Sequence, residues 1–183
     1  MPVTNYEPTV RTNWQGDPVY IRRMGTADID MVRDEMGRWT TGQPEDISDP
    51  AQRHFDFAFQ YHLDSDSNLF LISENPDDGS QVYGVSAAYM GFLPRAILGY
   101  IVRLGETRVG RLMLSESLKT IFSQPHMLSV ESLVPNSRAR YILGRYHFNT
   151  EFERDDEIEV DIEKAVLNRR GYEKLLNEHP DFT

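Results

Sequence analysis

The sequence predicts an α+β fold: a single domain with one mixed, mostly antiparallel sheet flanked by helices. Three observations predict it. Strand-like and helix-like stretches follow one another in the order βααβββαβαββ, and a helix opens on Gly110 (GRLMLSESLKTIF) between two β-prone runs. A polar cap and amphipathic helix ending in an aromatic, NSRARYILGRYHF from Asn136 to Phe148, directly follow the strand-like run Met127 to Val134.

Met1 to Pro18 is polar, contains proline and lacks periodicity, so it reads as an extended N-terminal arm, with Tyr6 and Trp14 favouring docking. The domain proper is then residues 19–183. Val19 to Met24 reads as a strand, and Thr26, Asp28 and the run IDMVRDEMGRW read as a capped helix with Ile29, Val32, Met36 and Trp39 near one face. TTGQPEDISDP is a loop, after which Phe55, Ala58, Phe59 and His62 recur at helical spacing and predict a second helix over Ala51 to His62. Asn68 to Ser73 and Gln81 to Met90 are β-prone and flank the turn-rich ENPDDGS, which makes an antiparallel hairpin. Ala96 to Leu104 extends the sheet, and Gln124 and Pro125 stop the Gly110 helix before the strand from Met127. The tail supplies two strands, in NTEFERDD and EIEVDIEKAVLNRR, and a short helix around Tyr172 to Leu176.

The balance of 29 acidic against 19 basic residues gives a formal charge of -10, which disfavours nucleic acid and anionic membranes as partners. With no cysteine, a disulfide, a thiolate metal site and a thiol nucleophile are all excluded. The N-terminus has neither a basic leader nor an apolar core, and no apolar run reaches bilayer length, so a soluble cytoplasmic protein is expected. His54, His62, His126, His147 and His179 never fall at metal-ligand spacing, which predicts no metal. There is no Gly-x-Ser-x-Gly turn, Walker loop or dinucleotide fingerprint.

The element order, with the frame of Asn136, Ala139, Ile142 and Phe148, resembles the GCN5-related N-acetyltransferase (GNAT) superfamily over about Val19 to Leu176. The resemblance implies acetyl transfer from acetyl-CoA to an amine by direct attack. It places the pantetheine slot between the strands Ile97 to Leu104 and Met127 to Val134, with backbone groups near Val102, Arg103 and Leu104 meeting the thioester. The family's pyrophosphate loop, Q/R-x-x-G-x-G/A running into a helix, falls on GETRVG, where backbone amides and the positive helix end would meet the phosphates. Val109 and Gly110 match its last two positions, and Asn136 opens the next motif. Arg103, Arg108 and Arg111 form the densest basic cluster of an acidic chain, as a CoA site or an ordinary set of solvated loop charges.

The chain also departs from the pattern. Gly105 stands at the leading Gln/Arg position, Arg108 at the middle glycine, Leu143 at the tyrosine that protonates the departing thiolate, and His147 at the glycine before the terminal aromatic. Tyr141 and Tyr146 sit on other faces of the helix, so Tyr146 serves as proton donor only in a shifted register. Glu131 is the candidate base, with Glu106 beside the phosphate loop; each is also readable as a polar-face residue. Two functions follow: an N-acyltransferase, or a catalytically silent module that keeps the fold for interaction. The second is similar in kind to certain head-associated virion proteins of tailed bacteriophages, with the N-terminal arm as the docking element. The partner is accordingly an amine substrate or another protein, and the terminal strands offer a route to a homo-oligomer.

Overall fold

The computed structural model describes residues 6–13, 15–40, 63, 65, 67–91, 94–102, 109–133, 137–155 and 160–182. The predicted second helix and nearly all of TTGQPEDISDP lie outside them. The strands are β1 (Thr9–Thr12), β2 (Pro18–Arg23), β3 (Asn68–Asn75), β4 (Asp78–Tyr89), β5 (Arg95–Val102), β6 (Ser129–Leu133), β7 (Asn149–Asp155) and β8 (Val160–Asn168). The helices are α1 (Ile29–Thr40), α2 (Gly110–Phe122), α3 (Ser137–Arg145) and α4 (Arg169–Glu178). The strands form one mixed sheet in the order β1-β2-β3-β4-β5-β6-β8-β7. Of the registers defined, only β5 with β6 is parallel. This is the α+β sheet the sequence predicts.

The chain groups into two compact units, Met1–Ala87 with Tyr100–Ser117, and Ala88–Gly99 with Leu118–Thr183. In the first unit, β3 is buried from Asn68 to Glu74, as its apolar run requires. A two-residue turn leads from β3 into β4, where the Asn75 side chain accepts the Asp77 amide at 2.9 Å. The arm is partly sheet: Thr9 to Thr12 pairs antiparallel with Ile21 to Pro18 of its own chain. Local patterning could not show this, because a four-residue run with Val10 as its one apolar residue reads as a strand only when an edge receives it.

A half-buried arginine between two buried carboxylates ties β2 and β3 to the start of α1. Arg22 gives two 2.7 Å hydrogen bonds to Asp28 and two 3.0 Å bonds to Glu74. Hydrogen bonding to Arg22 holds the Asp28 carboxyl below its ordinary range, against the opposing effect of burial. Asp28 also accepts the Gly25 amide at 2.8 Å, so the cap expected near Thr26 is delivered by Asp28 reaching back one turn.

In the second unit, Leu118, Ile121, Phe122, Met127, Leu167 and Leu175 form a fully buried core, on which Tyr172 stacks against Phe122 at 4.5 Å. Arg169 locks the chain there: its guanidinium donates to the carbonyls of Phe122, Gln124 and Met127, at 2.8 to 3.2 Å. A side chain that closes three carbonyls left over at a helix end and turn substitutes for secondary structure.

Candidate functional site

The parallel pair forms between β5 and β6, with Arg95, Ala96 and Ile97 opposite Ser129, Val130 and Glu131. Ala96, Leu98 and Val130 are buried, whereas Ile97 is 42% exposed and shares its face with Glu131. β5 continues to Val102, the first predicted thioester neighbour. Arg103, Leu104, Glu106 and Arg108 lie outside the described residues, as does Asn136, so the predicted cluster is placed only at Val109, Gly110 and Arg111.

Those three residues are the start of α2. Val109 is fully buried, and its carbonyl accepts the Met113 amide at 2.9 Å, the first bond of the helix. It therefore stands at the N-cap with a side chain that cannot accept a hydrogen bond from the first-turn amides. Gly110 opens the helix, Arg111 follows on the exposed side, and the first turn holds no acidic residue. Backbone donors, a positive helix end and a guanidinium in one turn are the chemistry of an oxyanion site, so a pyrophosphate fits these residues.

Glu131 lies in a row of charges across three strands. Its Oε1 accepts from Arg95 Nη1 at 2.9 Å, and its Oε2 lies 3.9 Å from Lys164 Nζ. The candidate base is thus an ion-paired carboxylate on the open face of the parallel pair. Tyr146 falls beyond the last residue of α3, and its ring meets Phe182 at 5.1 Å and His179 at 5.9 Å in an aromatic cluster. Leu143, at the tyrosine position of the family pattern, is 1% exposed. Tyr141 is 65% exposed, with the Arg145 guanidinium 5.9 Å from its ring centroid.

His147 is explained by the end of α3. The His147 and Phe148 amides donate to the carbonyls of Gly144 (3.3 Å) and Leu143 (3.2 Å), the two bonds of a Schellman cap. Such a cap needs a left-handed residue, and His147 has φ +63°. The glycine of the family pattern is thus a helix-stop position, and here a histidine takes it. Its Nε2 meets Glu178 Oε2 at 2.7 Å, and this bond holds the Glu178 carboxyl below its ordinary range. A polar cleft of about 530 Å³ lies between His147, Asn149, Asn168 and one side of α4 as far as Asn177; of the predicted site residues, none lines it.

Among the described residues no cluster of acidic and histidine side chains is arranged to hold a metal, and no helix is long and apolar enough to cross a membrane.

The mixed sheet with its parallel β5–β6 pair, and the helix opened by Gly110 after β5, share the fold of solved GNAT acetyltransferases. Solved structures of that class superpose over nearly the whole chain. RimJ from Mycobacterium smegmatis, in complex with CoA-disulfide, is similar at 16% identity and TM-score 0.63, over 97% of this chain and 96% of that one. Apo FdhC, a nucleotide-linked sugar GNAT, is similar at 13% identity and TM-score 0.63, over 98% and 99%. A chimera of spermidine N-acetyltransferase SpeG from Vibrio cholerae and hSSAT matches at 12% identity and TM-score 0.63, over 87% and 98%. No protein-family model and no curated relative matches the sequence.

Proposed function

We propose that the chain binds acetyl-CoA and transfers its acetyl group to an amine. The observation that carries this reading is the start of α2: a buried apolar N-cap at Val109, glycine at the first helical position, and Arg111 in a turn without acids. Acetyl-CoA would supply an activated thioester, so that a C–N bond forms as the C–S bond breaks and a proton leaves the amine. The first-turn amides of α2 and Arg111 would hold the pyrophosphate as an anion. Val102 and the end of β5 would carry the backbone groups that meet the thioester. Glu131, ion-paired with Arg95 beside Ile97, is a candidate to receive the amine's proton, directly or through water, as is Glu106 before the Gly110 helix.

One observation favours the second reading, a non-catalytic interaction module. Leu143, where the family pattern has its thiolate-directed tyrosine, belongs to the core, and Tyr146 packs against Phe182. Protonation of the leaving thiolate then falls to solvent.

Titration calorimetry with CoA and acetyl-CoA, beside an Arg108→Glu variant, separates the readings. Micromolar binding that the variant loses supports the cofactor site and justifies a screen of amine acceptors. No heat at high ligand concentration, with the protein folded, rejects the transferase and leaves the interaction module.

A further inference from the structure

The N-terminal segment makes one polar attachment that neither the sheet nor the proposed chemistry explains. Glu116, on α2, is a carboxylate with 6% of its side chain exposed. It sits six residues beyond Gly110, about 9 Å along the helix axis. Two groups of the arm reach it: Tyr6 Oη donates to Oε2 at 3.2 Å, and Arg11 Nε lies 3.4 Å from Oε1. Arg11 is itself in β1, opposite Val19 of β2. Sheet pairing thus fixes one end of the segment and Glu116 fixes the other. Burial, then the charge of Glu116, pushes the Tyr6 phenol well above its ordinary range, so the proton stays on Tyr6 and the bond is donated to Glu116.

A carboxylate in a helix interior, out of water, needs a partner or it destabilises the helix that carries it. Ser115 Oγ is buried without a hydrogen-bond partner among the described residues, and the Ser117 hydroxyl is engaged with Ser86 at 2.9 Å. All of these residues belong to one compact unit. Glu116 also adds negative charge to the helix whose opening turn would receive the pyrophosphate, and Arg11 offsets that charge.

We propose that Tyr6 to Thr12 is a strap that positions α2 through Glu116, so that the arm is part of the cofactor site's support. The link to the cofactor rests on the function proposed above; the strap itself does not. Arg11 and Tyr6 are positioning residues that act through α2.

The test uses the full-length protein and two readouts: amide exchange across Gly110 to Leu118, and CoA affinity by calorimetry. Arg11→Met and Tyr6→Phe should each speed exchange in that segment at least threefold while β7 and β8 stay within experimental error. Arg11→Met should weaken CoA binding about fivefold. Arg11→Lys, which keeps the charge, should return both readouts to within twofold of the parent. Unchanged α2 exchange in both Arg11→Met and Tyr6→Phe overturns the strap. Equal acceleration in β7 and β8 also overturns it, since the effect is then general destabilisation. If the parent protein binds no CoA, the cofactor reading fails and exchange alone decides the strap.

Discussion

α2 and α4 begin in opposite ways. At α4 the side chain of Asn168 accepts the Gly171 amide at 2.8 Å, and the next residue, Arg169, fastens the helix start to three carbonyls. The chain satisfies that terminus with its own groups. At α2 the same position is held by Val109, whose side chain has nothing to offer an amide, and the first helical residue is a glycine. A side chain that accepts from the first-turn amides closes a helix start with the chain's own groups, whereas a valine at the cap accepts from none of them.

The comparison breaks most visibly at Arg169. Arg169→Ala would strip partners from the carbonyls of Phe122, Gln124 and Met127, and should cost roughly 2–4 kcal/mol in urea unfolding. Loss of CoA binding at temperatures where the variant remains folded would show that the two helices are not independent. Asn168→Ala removes only the cap and should cost about 1 kcal/mol, again without changing CoA affinity.

Arg111→Glu addresses the other helix start and should separate stability from binding. An acid in the first turn favours the helix dipole by about 0.3–1 kcal/mol, so unfolding should shift little or slightly upward. CoA affinity should fall at least tenfold. Equal affinity in the variant would remove α2 as the anion site.

The smallest effect concerns the far end of α4. Glu178 is an acid at a helix C-terminus, an unfavourable place that His147 at 2.7 Å and Lys174 at 3.7 Å offset. Because its folded pKa is depressed, the stabilisation is present above the ordinary carboxylate range and is lost as pH falls through the folded value. Glu178→Gln should therefore lower stability above the carboxylate range and converge with the parent at the acid end, as thermal melts between pH 2 and 8 would record.

Much of the architecture is legible in the residues themselves. The apolar run NLFLIS names a buried strand, and Gly110 with Gln124 and Pro125 brackets α2 to within a few residues. The replacement of glycine by His147 was visible as a departure, but its meaning was not, since a left-handed cap is recognised by its two carbonyl bonds. Asn168 preceding a helical run was a readable cap signal, masked by the strand pattern of KAVLN that contains it. Glu131 could be nominated from its strand, yet its partners Arg95 and Lys164 lie 36 and 33 positions away and leave no mark on local sequence.

The sequence by itself determined the described elements from Val19 onward, the helix that opens on Gly110, the valine before it and the acidic balance of the chain. These follow from hydrophobic period, turn chemistry and residue type, which act over a few positions. Only the tertiary structure decided that Thr9 to Thr12 is a sheet edge, that Glu116 is held by Tyr6 from 110 positions away, and that Leu143 belongs to the core. Such pairings depend on which distant groups folding brings into contact, and a buried charge takes whichever partner the closed chain presents.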